Sequence, residues 1–502
     1  MIFGASGDLT SRKLIPALLR NFAEGSFTHP VQVVGVSRTG ATTEAWRDEL
    51  AKALPPELRE AWASFAPHLH SLKADPSVPA QLAVLEQQLD ALIEGLEGGS
   101  RTLSGRLFYL ALSPELFAPV ITALSERRML TSSPEEQEGW RRVVIEKPFG
   151  SDLASARALN FHLLTHLRES QLFRIDHYLG KETVQNILAL RFQNSIFEPL
   201  WNRKHIESVE ISVCETVAME GRRGAYYDKA GAMRDMVQNH LLQILALIAM
   251  EPPGSLKPDA VRNEKVKVLQ SLRPFTPERV ARDVVLGQYE GYLDAFGVAP
   301  QSKTETYVAI RALVDNWRWS GVPFLLRTGK ALNQRFTEVV LRFQTPPLDL
   351  LNGPTPDDSC ALRPNDLRLL IHPDEGVRLS FLVKQPGPGM VMRSSSLGFD
   401  YSELEQGETP DAYQRLLLDA INGNATLFLR GDEVEAAWAF VDGIRAGVLD
   451  SRVLHYPVGT RGPEQADDLF RGCEGVWSTG ATSNQNFPQP SAVRPRSRPA
   501  RQ

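Results

Sequence analysis

The chain has 502 residues and a formal net charge of −5, with 42% hydrophobic and 23% charged side chains, enough for two or three domains with sizeable cores. The acidic balance argues against nucleic acid or an anionic membrane as the main partner, no apolar run reaches the roughly 20 residues of a membrane span, and no basic-then-apolar leader opens the sequence. Cys214, Cys360 and Cys473 are far apart and form no Cys-x-x-Cys, which suits a reducing compartment and makes the cytoplasm the expected location.

Residues 1–176 alternate strand-like and helix-like pieces, the pattern of a doubly wound parallel sheet. Ile2-Phe3 runs into GASGDLTSRKL, residues 4–14, and residues 9–23 carry apolar side chains near helical spacing. Gly4 and Gly7 thus stand where a strand passes into a helix. There glycine lets the backbone approach a pyrophosphate, and the helix N-terminus favours its charge. A turn without a ligand has the same Gly-x-x-Gly spacing; the flanking strand and helix favour a nucleotide. Lys13 adds a cation at the same mouth.

Residues 31–36 form the next apolar strand, and VQVVGVSR ends on Arg38. In nucleotide-binding folds the residue after this strand meets the adenosine ribose. An acid there bonds the 2′-hydroxyl of NAD, whereas arginine suits the 2′-phosphate of NADP. Arg38 with Ser6 points to NADP; the alternative is an exposed arginine without a ligand. A helix is expected over 79–97, strands over 107–112 and 143–145, and a surface loop over 132–139. In VVIEKPFG, residues 143–150, Pro148 keeps Lys147 extended. That puts Lys147 at the carboxyl end of a parallel strand, where such sheets bind ligands.

RIDHYLGKE, residues 174–182, crowds Arg174, Asp176, His177, Tyr178, Lys181 and Glu182 together. Alone it could be a solvated turn. Beyond it the texture becomes α+β. Strands are expected over 209–213, 306–314, 324–327, 338–344, 367–372 and 377–383, several alternating apolar and polar as in an antiparallel sheet with one covered face. Between them RDMVQNHLLQILALIAM, residues 234–250, reads as a helix from Asp235, apolar on nearly all sides after His240 and therefore buried. Asp235 and His240 are near enough to address one site, although a lone histidine on such a helix also reads as a core residue. RTGKALNQR, residues 327–335, offers Lys330 and Arg335 beyond a strand end, either to hold an anion or to sit in solvent. The stretch 478–502 has four prolines, four arginines and no acid, so it is expected to be disordered. The expected division is a nucleotide domain over 1–176, an α+β domain over 177–477 and this tail.

Taken in order, GASGDLTSRKL, EKPFG, RIDHYLGKE, RDMVQNHLLQ and RTGKALNQR resemble the glucose-6-phosphate dehydrogenase family, over residues 2 to about 475. Gfo/Idh-type sugar oxidoreductases share the nucleotide half and an EKP lysine but have no DHYLGKE. The resemblance implies a Rossmann-like coenzyme domain and a larger α+β domain with a mainly antiparallel sheet. It implies oxidation of glucose 6-phosphate at C1 to the 6-phosphogluconolactone with reduction of NADP, the first step of the oxidative pentose phosphate pathway, in a homodimer or homotetramer. His240 matches the general base and Asp176 the carboxylate that orients it. His177, Tyr178 and Lys181 match the substrate-phosphate site. Lys147, Glu215, Asp235, Lys330 and Arg335 match residues around the sugar and its phosphate. Gly4, Ser6, Gly7, Asp8, Leu9, Lys13 and Arg38 match the coenzyme site, which Lys147 also borders. No metal is implied.

The chemistry of these residue types agrees. Removing hydride from a carbinol carbon requires loss of the hydroxyl proton, and imidazole titrates near pH ~6.5, where it serves as a base at neutral pH. A neighbouring carboxylate keeps one tautomer and tolerates the positive charge. Two departures from the family pattern stand out. The first strand retains only Ile2-Phe3 before Gly4, against a usual central strand of about five residues, which leads one to expect either a start further upstream or a less stable product. The spacing from Glu215 to Asp235 is one residue longer than the pattern.

Overall fold

The computed structural model describes residues 1–95, 104–131, 139–348, 364–403, 411–448, 453–473 and 475–480. Strands β1 (Ile2–Phe3), β2 (Val33–Ser37), β3 (Leu69–Lys73), β4 (Arg106–Leu110), β5 (Arg141–Ile145) and β6 (Leu172–Ile175) form one sheet in the order β6-β5-β4-β1-β2-β3. All of these pairings are parallel. The sequences VVGVS and RRVVI are rich in β-branched residues and almost wholly buried, as strands covered on both faces require. Strand order reverses between β1 and β4, and ligands bind at such a switch point, outside the carboxyl ends. Although only two residues long, β1 pairs on both sides, Ile2 with Gly35 and with Tyr109.

The second sheet contains β7 (Ile206–Cys214), β8 (Val284–Tyr289), β9 (Tyr307–Leu313), β10 (Pro323–Gly329), β11 (Phe336–Phe343), β12 (Asp366–His372), β13 (Gly376–Lys384) and β14 (Met392–Asp400), in the order β14-β13-β12-β11-β7-β10-β9-β8. Within this set, pairing is antiparallel except between β7 and β10. Two late strands complete the sheets: β15 (Phe428–Leu429) joins the first antiparallel to β6, and β16 (Val453–Tyr456) joins the second parallel to β8.

One covered face was expected for the second sheet, but its central strands β7, β10 and β11 are buried on both. The second face carries charge that is paired internally. Arg342 donates to Glu210 at 2.7 Å, Ser212 donates to Glu210 at 2.8 Å, and Arg327 lies over Trp477 at 4.8 Å. Ser478, expected to begin the disordered tail, is buried here instead. Its N–H donates to Glu210 at 2.9 Å and its carbonyl accepts from Arg327 at 2.7 Å. Two buried charges left by the strands recruit the backbone that follows Trp477. Residues 481–502 and most of the expected loop, 132–138, lie outside the described residues.

The boundary at 176/177 separates the sheets in sequence except for one return. Helices Ala412–Asn422 and Gly431–Gly447 flank β15 and pack on the first sheet's helices. Asn21 donates to the Gln414 carbonyl at 2.9 Å, and Trp438 donates to the Phe149 carbonyl at 2.9 Å. Arg174, fully buried, is part of this seam. It donates to Glu169 at 2.6 Å and to Asn160 at 3.1 Å. Among the described residues no helix is long and apolar enough to cross a membrane.

Candidate active site

Residues that follow strands of both sheets gather in one cluster. From the first come Glu146 and Lys147 after β5, and Asp176, His177 and Tyr178 after β6. Lys181 caps the helix Glu182–Phe192 that follows. From the second come Glu215 after β7 and Lys330 after β10. The parallel pairing of these two strands explains that placement: Cys214 is level with Gly329, so both chains leave the sheet on the same side. The Glu215 N–H donates to the Gly329 carbonyl at 2.9 Å, and Lys330 Nζ lies 2.5 Å from Glu215 Oε2. The longer spacing to Asp235 does not displace Glu215, because β7 holds it.

The helix expected over 235–250 is two helices. Met233–Leu241 is a π-helix and Leu242–Ala249 an α-helix buried on every side. In an α-helix, residues five apart point about 140° from one another. The wider turn, with hydrogen bonds between residues five apart, brings them onto one face. Asp235 and His240 are such a pair, and both reach the same ammonium. Lys147 Nζ donates to Asp235 Oδ1 at 3.1 Å, to the Asp235 carbonyl at 3.0 Å and to His240 Nε2 at 3.1 Å. The Asn239 side chain accepts the His240 N–H at 2.8 Å.

His240 Nδ1 lies 2.5 Å from Asp176 Oδ1, and each side chain is 1% exposed. The Tyr178 N–H donates to the same Oδ1 at 3.0 Å. Burial pushes the Asp176 carboxyl up, but the charge and hydrogen bond of His240 outweigh it and hold it at about 2. Burial dominates at His240 and lowers it; Asp176 opposes, and Lys147 lowers it further. The result is a neutral imidazole facing an ionised carboxylate, with Nδ1–H donating and the Nε2 lone pair turned to Lys147. The Tyr178 ring stacks on His240 at 4.3 Å, and His177 meets it edge-on at 4.7 Å. Burial, then the nearby His240, drops His177 to about 3.

Cations gather beyond this pair. Lys181 lies over the Tyr178 ring at 5.2 Å. Burial lowers its pKa, and the charges of Glu375, Arg335, Asp411 and Lys13 also reach it. Lys13 itself pairs with Asp411 at 2.7 Å, so it stands between the nucleotide turn and this cluster. Arg335 is exposed and borders a cavity of about 130 Å³ with Thr337, Glu338 and His372. The Tyr178 hydroxyl bonds Thr337. His372 is held at about 4 by burial and by Lys181 and Arg335. The sequence reading missed His372, whose only local signal is its place at the end of an alternating strand. It also passed over Glu146. That buried carboxylate accepts from Tyr109 at 2.5 Å and from Tyr413 at 3.1 Å, and burial raises it.

The nucleotide turn lies apart, at the switch point. Gly4 has φ 90°, and a Cβ there would sit 2.2 Å from the Ala111 carbonyl oxygen. The Gly7 N–H donates to the Gly4 carbonyl at 2.9 Å, after which the helical stretch Thr10–Ala23 begins. Ser6, Gly7 and Asp8 are exposed, Leu9 is half-buried, and Asp8 pairs with Arg12 at 2.7 Å. Arg38 is exposed just past β2. A tight glycine turn before a helix, with a cation one strand away, fits a phosphorylated dinucleotide.

A doubly wound nucleotide sheet whose strand ends deliver a histidine–carboxylate pair is the layout of a dinucleotide-dependent dehydrogenase. Family comparison agrees: the "Glucose-6-phosphate dehydrogenase, NAD binding domain" matches residues 1–186 and the "Glucose-6-phosphate dehydrogenase, C-terminal domain" matches residues 188–478. The glucose-6-phosphate 1-dehydrogenase of Aggregatibacter actinomycetemcomitans is 43% identical over 491 residues, covering 95% of this chain and 96% of that one. That of Bacillus subtilis is 39% identical, covering 94% and 96%. The Mycobacterium avium enzyme structure superposes with a TM-score of 0.79 at 35% identity, covering 96% of this chain and 98% of its own. A glucose-6-phosphate dehydrogenase solved with its substrate glucose 6-phosphate gives 0.84 at 33% identity, with 95% and 97% covered. The chain belongs to the glucose-6-phosphate dehydrogenase family.

Proposed function

We propose that the chain oxidises glucose 6-phosphate at C1, with NADP as acceptor and His240 as the general base. The 2.5 Å contact between His240 Nδ1 and Asp176 Oδ1 carries this reading. It leaves Nε2 as the proton acceptor and turns it toward the cluster of Lys147, Asp235, Glu215 and Lys330, whose side chains suit sugar hydroxyls. His177, Tyr178, Lys181 and Arg335 hold the phosphate, with charge-assisted hydrogen bonds from the lysine and arginine. Anchoring the phosphate fixes C1 against Nε2, and positioning of this kind lowers a barrier by several kcal/mol. The C1 hydroxyl displaces Lys147 from Nε2, while the two contacts to Asp235 keep the ammonium in place. As Nε2 takes the proton, Asp176 stabilises the imidazolium. The nicotinamide, when bound, accepts the hydride.

Gly4, Ser6, Gly7, Asp8, Leu9 and Lys13 make the pyrophosphate turn, and Arg38 reads the 2′-phosphate. Arg38 supports NADP because the position carries a cation rather than an acid. The exposed apolar side chains Met390, Val391 and Leu397 on and beside β14 support assembly of like chains through the second sheet. We place the protein in the cytoplasm on its three sparse, widely spaced cysteines.

The direct test follows nicotinamide reduction with glucose 6-phosphate, NADP⁺ and NAD⁺ in parallel, and unphosphorylated glucose as control. Fast reduction with the phosphorylated sugar and NADP⁺ is expected. Equal rates with glucose would remove the phosphate anchor, and equal efficiency with both coenzymes would remove the role of Arg38.

A further inference from the structure

We propose that Lys73 is a second cation, beside Arg38, for the 2′-phosphate of NADP, and that it helps set the preference for NADP over NAD. This rests on the coenzyme reading given above. Lys73 is the last residue of β3 and is level with Ser37, the last residue of β2. Both strands end on the ligand side of the sheet, and Arg38 follows Ser37 directly. The Ser37 hydroxyl accepts the Gly40 N–H at 3.2 Å, closing the turn that presents Arg38. The Lys73 stem lies across this turn. A Cβ on Gly40 would sit 2.7 Å from Lys73 Cβ and Cδ. Glycine there, with φ 63°, is what lets the lysine lie on the turn.

The local charge explains why one cation is insufficient. Asp75, two residues past Lys73, is held below the usual carboxylate range mainly by the Ser77 hydroxyl at 2.6 Å and the Ser77 N–H at 3.0 Å. Arg38 is close enough to lower it further. A phosphate monoester carries about −1.5 to −2 charges at neutral pH. Facing Arg38 and Asp75 alone, it meets no net positive charge. Lys73 supplies the excess. NAD has no 2′-phosphate, so the added charge favours only NADP.

The test uses Lys73→Met, which keeps the stem on Gly40 and removes the charge, with Lys73→Arg as rescue and Arg38→Ala in parallel. kcat/KM is measured for NADP and NAD, and inhibition by adenosine 2′,5′-bisphosphate is compared with inhibition by AMP. Lys73→Met is expected to lower the NADP:NAD ratio, and the matching inhibitor ratio, about tenfold, a typical loss for one charge-assisted contact; Lys73→Arg should restore most of it. A loss equal for both coenzymes would mean Lys73 only supports the turn, and would overturn the proposal. An unchanged ratio in Lys73→Met, with a lowered ratio in Arg38→Ala, would overturn Lys73 alone. Unchanged ratios in both would overturn the reading of Arg38 as well.

Discussion

Replacing Asp176 with asparagine isolates the charge behind His240 at almost constant shape. Oδ1 accepts both His240 Nδ1–H at 2.5 Å and the Tyr178 N–H at 3.0 Å, so only an oxygen fits there. The amide nitrogen must then take the place of Oδ2, which is buried without a hydrogen-bond partner, leaving N–H groups unsatisfied at about 1–3 kcal/mol. If the amide turns over instead, it loses the Tyr178 contact and donates to Nδ1, which places the imidazole proton on Nε2 and abolishes the base. In either case the imidazolium loses its counter-charge. At a charge separation of about 4 Å and an effective dielectric near 20, that attraction is about 4 kcal/mol, or roughly three orders of magnitude in rate. Initial rates of nicotinamide reduction over a grid of both substrates should therefore show kcat down about 10³-fold, with KM for glucose 6-phosphate within a few-fold. The remaining activity should have its acid limb at lower pH, because the carboxylate no longer raises His240. A kcat within tenfold of the parent would refute the pairing as the source of basicity.

In the parent protein, burial and Lys147 depress His240, so kcat/KM should rise through an apparent pKa below about 6.5 and level off above it; an acid limb above pH 7 would contradict this. Lys181→Met should raise the KM for glucose 6-phosphate by about ten- to a hundredfold with a smaller change in kcat, and an unaltered KM would remove Lys181 from the phosphate site. His177 stays neutral in the fold down to about pH 3, whereas an unfolded histidine protonates near 6.5, so stability is lost as pH falls below that value. The decline of Tm between about pH 6.5 and 4 should be shallower in His177→Asn, and identical slopes would argue against a ring held neutral in the fold. Gly4→Ala forces a Cβ to 2.2 Å from a carbonyl oxygen at φ 90°; denaturant unfolding should show a loss of about 3 kcal/mol or more, and an unchanged midpoint would mean that the turn relaxes freely.

The nucleotide half was legible because its signals are local. Apolar β-branched runs, the glycine turn and Lys147 before Pro148 each occupy a few consecutive residues. The residues of the His240–Asp176 pair stood out in RIDHYLGKE and RDMVQNHLLQ, but their geometry did not. Helical periodicity does not distinguish an α-helix from the π-helix Met233–Leu241, and only the latter aligns Asp235 with His240. Strand β14, sequence MRSSSLGFD, went unread because its largely exposed side chains leave no clean alternation. The pairing of Glu146 with Tyr413 spans 267 positions, and no local pattern encodes such a contact. The buried second face of the large sheet was hidden for a related reason: charged residues read as solvent-facing until Glu210, Arg327 and Arg342 find one another and Ser478.

Strand β15 has a consequence for how the chain is made. It seals the edge of β6 through Phe428 level with Ile175 and Leu429 level with Arg174, and it is synthesised more than two hundred residues after the strand it protects. A ribosome that has released residues 1–186 has released every other strand of the first sheet, yet β6 presents an unpaired edge and the buried Arg174 lacks its Leu429 partner. Open edges of this kind template aggregation, and at about 5–20 residues per second the exposure lasts on the order of ten seconds or more. Asp176 follows β6 directly, so the candidate site and the vulnerable edge mature in the same late event. Arrested nascent chains ending before and after residue 430 should differ sharply in their capture by chaperones, and the isolated first domain should be far less soluble than the whole.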